Sequence, residues 1–362
     1  MKISTYYLLP IKLMLALVFL TSAVAVNAAE KIPVKVVIVA MFDSGAATSS
    51  GAGEFNRWVA RTPLDEKLNF DVTGQELRIN REKGVLGVVT GIGTIKATST
   101  IMALGLDERF DLSKAYWLIA GIAGIDPADG SIGSAAWAEW IVDGDLAHHI
   151  DAREMPEGWA TGYFPLRRDK PYEGPTPPAA QGYVFQLNPS LTEWAFQLTK
   201  DVALEDTENM RKHRAHYTNH AVAQRPPFVL KGDHLAAMTY WHGEKMNDWA
   251  NDWITYWTEG KGNFVTSAME DSGSFYALKM LANVGKVDVN RVMVLRTASN
   301  YSMQSPGVTA EESLNGIKLS PEIASAGFQP SLEAAYQVGS VVVNKLLETW
   351  DTVKDTPPSM PE

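Results

Sequence analysis

The 362-residue sequence contains no cysteine. Disulfide bonds, thiol nucleophiles and thiolate metal ligands are therefore excluded for this chain. Basic residues are also scarce, since 32 Lys and Arg stand against 42 Asp and Glu and give a formal net charge of -10. A chain with this balance has no excess of cations with which to cover a polyanion, so we expect no nucleic-acid partner.

Long apolar runs are missing after the amino terminus. Residues 1–28 combine two lysines, the apolar stretch "LMLALVFLTSAVAV" and small residues before a predicted cleavage after Ala28. This is the pattern of a secretory signal peptide, and the apolar part is shorter than the ~20 residues of a spanning helix, although a membrane anchor is the alternative. We therefore predict a periplasmic or secreted protein with a single domain over 31–350 and a polar tail over 351–362.

Three apolar, β-branched runs lie at 34–41, 84–90 and 115–125. Each leads into a loop rich in small residues, and the second loop passes into a helical pattern. Buried strands alternating with helices are typical of an α/β sheet, in which ligands bind at the carboxyl ends of the strands. The same patterns predict later strands within 228–241, 263–273 and 291–302, a helix over 188–203 capped by Asn188 or Ser190, and a closing amphipathic helix that ends at Trp350.

Residues 152–182 are dense in Pro and Gly. Such a composition is too irregular for a core element and predicts a long surface loop.

The glycine-rich loops after the second and third runs, "GIGTIK" and "GIAGID", would let a ligand contact main-chain N–H groups without meeting a Cβ. A dinucleotide fingerprint is disfavoured because Lys96 occupies the place of its third small residue and because the second loop has the wrong spacing. We expect no nicotinamide, flavin or other cofactor. Tight packing between strand and helix is the alternative interpretation of each loop.

Two later segments offer polar groups at the ends of strands. Glu270, in "SAMEDSG", could accept two hydrogen bonds from the vicinal diol of a ribose, or it could cap the following helix. Ser299 and Asn300, in "LRTASNYS", end another buried run, and the amide of Asn300 offers the donor and acceptor that a purine edge requires. A turn at the end of the strand is the alternative.

Aromatic and histidine residues give weaker signals. Tyr240 and Trp241 present rings on which a base could stack, although core aromatics are commoner. His213, His216 and His220 fall at helical spacing, but no acidic residue is interleaved among them, so we expect an exposed face and no metal site.

Taken in order, the segments "VKVVIVAMF", "VVTGIGTIKAT", "LIAGIAGIDPADGSIG", "FVTSAMEDSG" and "VLRTASN" resemble the superfamily of purine nucleoside phosphorylases and methylthioadenosine/S-adenosylhomocysteine nucleosidases. The likeness to the purine nucleoside permease family is closer, and it runs from "AMFDSGAATSSGAGEFNRW" through "YWHG" to the last helix. The resemblance implies an α/β fold of the phosphorylase type, with three α/β/α layers and a mixed central sheet.

The resemblance also implies roles for individual residues. Glu270 matches the carboxylate that binds the ribose diol, Met269 the methionine beneath the sugar, and Asn300 the residue that engages the N7 edge of the purine. The loop that holds the nucleophile or sugar is matched by Thr90, Gly91 and Gly93, and the loop that approaches the base by Gly121, Ala123 and Gly124.

The nucleophile is the open point of the resemblance. Nucleosidases of the superfamily activate water with a glutamate shortly after the first strand, and the candidate here is Asp43, with the more distant Glu54 as the alternative. Lys96 is the one cation near the loop after Thr90, whereas a phosphate nucleophile would require several convergent cations. We therefore expect water to be preferred to phosphate, with Asp43 and Asn300 as catalytic residues.

Two kinds of function remain open. The protein is either an enzyme that cleaves the N-glycosidic bond of a purine nucleoside or a binding protein that passes nucleosides to a separate membrane carrier. For the enzyme, the resemblance of Asn300 to the asparagine of the phosphorylases implies 6-oxopurine nucleosides as the first substrates to test. A homo-oligomer is expected from the phosphorylase relatives.

Overall fold

The computed structural model of the chain describes residues 30–43, 53–176, 182 and 184–359. The signal peptide predicted for residues 1–28 lies outside these ranges. The strands are β1 (Ile32–Pro33), β2 (Val36–Ala40), β3 (Glu66–Phe70), β4 (Gln75–Asn80), β5 (Val85–Val89), β6 (Phe110–Asp111), β7 (Tyr116–Ile125), β8 (Ala135–Ala138), β9 (Trp140–Asp143), β10 (Ala147–His149), β11 (Tyr163–Pro165), β12 (Val184–Gln186), β13 (Val229–Lys231), β14 (Asp233–Ala236), β15 (Phe264–Ala268) and β16 (Val292–Tyr301). The helices are α1 (Asn56–Arg61), α2 (Thr94–Gly105), α3 (Pro189–Thr199), α4 (Glu208–Arg214), α5 (Glu244–Trp257), α6 (Asp271–Asn283), α7 (Ala310–Leu314), α8 (Pro321–Ala324), α9 (Phe328–Glu348) and α10 (Trp350–Val353), with a 3₁₀ turn over Val289–Arg291.

A mixed sheet of 12 strands forms the centre of the fold. The three apolar runs predicted as strands are neighbours in it, because β2 pairs in parallel with β5 on one side and with β7 on the other. The ten-residue strand β7 also pairs in parallel with β16 along its length, while its last residues pair antiparallel with β15. The prediction of a mixed central sheet is confirmed.

Helices cover both faces of this sheet, because successive strand residues point to opposite sides. On one face Val37 and Val39 pack in the same cluster as Ile101 of α2 and Leu278 of α6. On the other face Val36, Ile38 and Ala40 pack with residues of α3 and α9, among them Val338. The three-layer arrangement follows directly from strands that are apolar at every position.

The predicted helices also occur. The helix expected over 188–203 is α3, where the side chain of Asn188 accepts hydrogen bonds from the backbone N–H groups of Ser190 and Leu191. The closing amphipathic helix is α9, which buries one face against β16 and β7. No helix in the described ranges is both long enough and apolar enough to cross a bilayer.

The Pro- and Gly-rich segment 152–182 differs from the long irregular loop that composition predicted. Within its described part, β11 pairs antiparallel with β10, so a short hairpin interrupts the loop. Aromatic contacts explain the hairpin, since the ring of Tyr163 stacks on His149 at 4.2 Å and that of Phe164 lies 4.8 Å from His148.

The first residues of the predicted polar tail belong to the fold. Val353, in α10, is buried, and its carbonyl accepts hydrogen bonds from the hydroxyl of Tyr116 and the guanidinium of Arg291. The domain therefore extends slightly past the boundary expected at residue 350.

Candidate functional site

The carboxyl ends of β2, β7, β14, β15 and β16 surround a cavity of 320 Å³, which we call the central cavity. This is the edge of the sheet at which α/β proteins bind their ligands. The loops that follow these strands supply most of the lining, so the site is built from the segments that the sequence singled out.

Glu54 is the least expected residue in this lining. It is 3% exposed, and its two carboxylate oxygens accept hydrogen bonds from the backbone N–H groups of Met41 (2.7 Å) and Ile122 (2.8 Å). Burial raises the pKa of Glu54 to about 7, against the opposing effects of Arg296 and the two N–H donors. A carboxyl group with this pKa can exchange a proton at neutral pH, as a general base or acid requires.

Arg296 is the centre of a buried ionic network. Its Nε and Nη2 bind the two oxygens of Asp271 at 3.2 and 2.5 Å, its Nη2 lies 3.2 Å from Glu270 Oε2, and its Nη1 donates to the carbonyl of Ile122 at 3.2 Å. His234 Nε2 lies 2.9 Å from Asp271 Oδ2. The network fixes the guanidinium against the cavity, because nearly all of its donors are engaged.

Asp271 and Arg296 keep their charges in this network. Burial would raise the pKa of Asp271, but Arg296 and His234 outweigh it and hold that pKa below its usual range. Burial would likewise lower the pKa of Arg296, whereas the carboxylates of Asp271, Glu270 and Glu54 raise it. Asp271 and Arg296 therefore form an ion pair that stays charged. Glu54 lies beside this pair, and its pKa lies near neutrality.

Glu270 connects this network to the glycine loop after β5. Its Oε1 accepts a hydrogen bond from the backbone N–H of Gly93 at 2.9 Å, and its side chain is 4% exposed. Gly93 has a φ of 101°, a region that favours glycine, so the loop can aim this N–H at the carboxylate. Glu270 precedes α6 but makes no side-chain cap hydrogen bond, which disfavours the capping alternative.

The small residues in the second half of β7 include Gly121, whose surroundings explain why a larger residue would not fit. A Cβ there would lie 2.5 Å from Glu54 Oε1 and 2.9 Å from Arg296 Nη1. The missing side chain thus makes room for the charged groups of the cavity. The structure differs here from the expectation that Gly121 lies against the base.

The opposite end of the cavity is built from amide and hydroxyl groups. A register shift between Ala298 and Asn300 bulges Ser299 out of the ladder with β7. Asn300 is half-buried, its Oδ1 accepts from Ser299 Oγ at 2.9 Å, and its Nδ2 donates to the carbonyl of Tyr301 at 3.0 Å. A Cβ on Gly124 would lie 3.2 Å from Asn300 Nδ2, so this glycine gives the amide its space.

A chain of hydrogen bonds orients Ser302 at the same end. Asp126 Oδ2 accepts from Asn247 Nδ2 at 3.0 Å, which turns the Oδ1 of Asn247 towards Ser302 Oγ at 2.5 Å. The hydroxyl proton of Ser302 is therefore engaged by acceptors, and its remaining lone pairs can accept from a ligand in the cavity.

Aromatic rings close the sides of the cavity. Phe42 and Phe328 stack with their centroids 6.5 Å apart, and Trp241 packs 5.9 Å from the rings of Trp249 and Phe264. Tyr240 is 56% exposed at the rim. The walls thus offer flat apolar surface of the kind on which a base stacks.

The structure brings most of the predicted site residues together. Those that line the central cavity are Ala123, Gly124, Tyr240, Trp241, Met269, Glu270, Ser299 and Asn300. Thr90, Gly91, Gly93 and Gly121 do not line it: Gly93 and Gly121 instead contact its charged groups, and Thr90 is buried behind it with its hydroxyl bonded to the carbonyl of Gly91.

The structure does not place Asp43 in the lining of the central cavity. Asp43 is exposed and lines a neighbouring cavity, together with Gly91 and Lys96, and the two cavities share Met41, Phe42 and Ile92. The buried carboxylate near the first strand is Glu54, which the sequence offered only as the more distant alternative. The ten residues between Asp43 and Glu54 are mostly small, so nothing in their pattern indicated that the chain returns to the same strand end.

The histidine segment differs from the expected exposed helical face. Helix α4 ends at Arg214, so His216 and His220 lie beyond it, and His213 is buried. In the part of the chain that the structure describes, no group of three or more His, Asp or Glu side chains could hold a metal ion.

Comparison with known proteins assigns this architecture to a family. The model of the family described as "Purine nucleoside permease (NUP)" matches residues 33–357. A probable purine nucleoside permease of Schizosaccharomyces pombe is 30% identical over 331 residues, which cover 87% of this chain and 90% of that protein. The purine nucleoside permease of Candida albicans is 31% identical over 274 residues, and the match spans 74% of this chain and 65% of that protein.

Solved structures share the fold at low identity. Futalosine hydrolase of Helicobacter pylori superposes with a TM-score of 0.51 and 15% identity, over 86% of this chain and 98% of that one. A mutant methylthioadenosine nucleosidase of the same organism, with 5′-methylthioadenosine in its active site, gives a TM-score of 0.50 and 15% identity over 87% and 98%. The predicted phosphorylase-type fold is confirmed.

Proposed function

Because the chain belongs to the purine nucleoside permease family, we propose that its central cavity binds a purine nucleoside and that water, activated by Glu54, cleaves the N-glycosidic bond. The observation that carries this proposal is the buried carboxyl of Glu54, with a pKa of about 7, in a cavity that also holds Glu270 and Asn300. A pKa near neutrality, close to the buried ion pairs of Glu270 and Asp271 with Arg296, supports a role for Glu54 in proton transfer.

The ribose lies at the charged end in this proposal. Glu270 accepts one hydrogen bond from Gly93 and one from Arg296, which leaves a lone pair on each oxygen for the two hydroxyls of a vicinal diol. Met269 follows Ala268 at the end of β15 and supplies apolar surface beneath the sugar. Charge-assisted bonds of this kind contribute about 1.5–3 kcal/mol each, enough to fix the sugar for attack.

The reaction is a displacement at the anomeric carbon. A water oxygen forms a bond to C1′ while the bond between C1′ and the purine nitrogen breaks, and the electron pair of that bond leaves with the purine. The proton of the attacking water passes to Glu54, whose two oxygens each keep a lone pair beside the N–H bonds that hold them. The carboxylate of Glu270, which does not take up this proton, stabilises the positive charge that develops on the sugar.

The base lies at the amide end. Asn300 donates a hydrogen bond to the edge of the departing purine, and the rings of Trp241 and Phe328 provide apolar walls. An amide stabilises the leaving base through a hydrogen bond and does not protonate it. This favours purines that leave without strong acid assistance, and 6-oxopurine nucleosides are the first substrates to test.

Water is preferred to phosphate because the cavity has little uncompensated positive charge. Among the described residues that line it, Arg296 is the one cation, and its guanidinium is already paired with Asp271 and Glu270. A phosphate dianion would enter beside the acidic side chains of Glu54 and Glu270, which is electrostatically unfavourable.

The test follows free purine base by chromatography after incubation of the mature protein with inosine, guanosine and adenosine, each with and without phosphate. Base release that does not depend on phosphate is the expected result. Release only with phosphate would overturn the assignment of water as nucleophile, and saturable nucleoside binding without release would overturn catalysis.

That last outcome would support a second candidate function, which the family's description favours. In it the protein is a non-catalytic binding protein that captures nucleosides and passes them to a separate membrane carrier.

Both candidate functions place the protein outside the cytoplasm through export by residues 1–28, and cell fractionation with an antibody against the mature chain tests that location. Size-exclusion chromatography with light scattering tests the expected homo-oligomer.

A further inference from the structure

A second cavity of 330 Å³ adjoins the central cavity. Asn300 and Tyr240 line both, so the two spaces share a wall at the amide end of the site. The second cavity lies between α4 and the segment that carries α7 and α8. Neither Glu270 nor Glu54 contributes to it, so it is separate from the charged end.

His213 gives this cavity an unused hydrogen-bonding group. The side chain lines the cavity, is 7% exposed, and its Nδ1 is buried without a hydrogen-bond partner among the described residues. Burial, with a smaller effect of His216, lowers the pKa of His213 to about 4, so the ring is neutral at pH 7. A backbone hydrogen bond with Ile323 partly opposes this lowering, and because Nδ1 has no partner we assign that bond to Nε2, which places the ring proton there and leaves Nδ1 as an acceptor.

Several other polar groups of the cavity are already paired. Lys318 pairs with Glu312 at 3.1 Å, His242 Nε2 lies 3.0 Å from Ser313 Oγ, and Tyr217 donates its hydroxyl proton to the carbonyl of Met303. Leu319 and Tyr301 add apolar surface. A buried acceptor without a partner, among described neighbours whose Lys and Glu charges are paired with each other, suits a neutral group that carries a hydrogen-bond donor.

The position of Asn300 connects this cavity to the base. If the amide engages the N7 edge of a purine, the substituent at the 6-position lies on that same edge and projects past Asn300 towards the shared wall. Tyr240, the other residue of that wall, is half-exposed and not packed in the core.

We propose that the two cavities form one binding site, in which the second cavity receives a neutral substituent with a hydrogen-bond donor, carried on the 6-amino group of a purine nucleoside. The inference rests on the proposed nucleoside binding and deepens it by naming a substrate class. Such nucleosides are larger than adenosine by one short polar chain, and His213 Nδ1 accepts the donor at its end.

The experiment measures dissociation constants by calorimetry for adenosine and for its N6-propyl and N6-(2-hydroxyethyl) derivatives, with the mature protein. The two derivatives match in length and differ in a terminal hydroxyl. We expect the hydroxyethyl derivative to bind at least as tightly as adenosine and about tenfold more tightly than the propyl derivative, the ratio that one hydrogen bond supplies. If both derivatives bind more than about 100-fold more weakly than adenosine, the inference is overturned while nucleoside binding stands. Binding of inosine in the same assay without binding of adenosine would also overturn the inference, whereas absence of binding by both nucleosides would overturn the proposed function itself.

Two variants assign the effect to the second cavity. His213→Phe removes the acceptor and should abolish the preference for the hydroxyethyl derivative, with adenosine affinity unchanged. Ala324→Phe fills the cavity from α8, at a half-buried position outside the core, and should weaken both derivatives at least about tenfold while sparing adenosine. It remains informative if His213→Phe fails to fold. Equal affinity of Ala324→Phe and the unmodified protein for both derivatives would contradict the inference.

Discussion

The two ends of the central cavity are built in opposite ways. At the charged end Glu54, Glu270, Asp271 and Arg296 are each less than 5% exposed, and they are held by mutual contacts of 2.5–3.2 Å or by backbone N–H donors. At the amide end Ser299 and Asn300 are half-buried and bond mainly to each other and to neighbouring main chain.

This difference indicates that the charged end carries out the reaction and that the amide end recognises the base. A buried ionic network is expensive to form and is strongly weakened by the loss of one member, so its geometry is rigid. Hydroxyl and amide groups at the surface of a cavity can be exchanged at modest cost. We therefore expect substitutions at the charged end to affect turnover and stability strongly, and those at the amide end to affect affinity and selectivity.

The largest effect is expected for Glu54→Gln, which removes the general base. Turnover of inosine should fall by about 10²–10⁴-fold, with a much smaller change in the dissociation constant, because the base acts in the transition state. Single-turnover base release and calorimetry separate the two quantities. Glu66→Gln, at an exposed carboxylate paired with Arg81, is the matched control.

Asp43→Asn decides between the two carboxylates that the sequence offered. Since Asp43 lines a different cavity, its substitution should lower turnover by less than about tenfold. A loss as large as that of Glu54→Gln would return the role of base to Asp43.

The second largest effect is on stability. Arg296→Met leaves Asp271 buried without its main partner and should lower the free energy of unfolding by about 3–5 kcal/mol, measured by urea denaturation. Arg61→Ala removes a half-exposed arginine from Glu333, which keeps its pair with Arg57, and should cost at most ~1 kcal/mol. Similar losses in the two variants would show that the buried network does not hold the charged end.

The smallest effect is expected at the amide end. Asn300→Ala removes one hydrogen bond to the base and should weaken nucleoside binding by roughly 3- to 10-fold and reduce discrimination between inosine and adenosine. Asn283→Ala, at an exposed position at the far end of α6, should leave both unchanged. An Asn300→Ala variant with unaltered affinity and selectivity would remove the amide from base recognition.

The two ends also differ in how far sequence predicted them. The amide end and Glu270 follow apolar runs directly, and a polar residue just after a buried strand can be placed at the carboxyl edge of a sheet. Asn300, Ser299 and Gly124 could therefore be named from local pattern.

The charged end could not be predicted in the same way, because it is formed by contacts between residues that are distant in sequence. Glu54 reaches Met41 and Ile122 across 13 and 68 positions, and Arg296 reaches Asp271 across 25. One signal was nevertheless available, because Arg296 interrupts the apolar run "VMVLRTASN", and a buried arginine needs an acidic partner. That signal points to a network without identifying its members.

The most direct test of this account is the pH dependence of base release from inosine under saturating conditions, in the unmodified protein and in Glu54→Gln. Burial raises the pKa of Glu54 to about 7, and a general base acts when deprotonated, so the rate should rise with pH through about 7 and level off above it. In Glu54→Gln the residual rate should lack this rise. A rate that is independent of pH in the unmodified protein, or a rise that persists in Glu54→Gln, would contradict the assignment of Glu54 as the base.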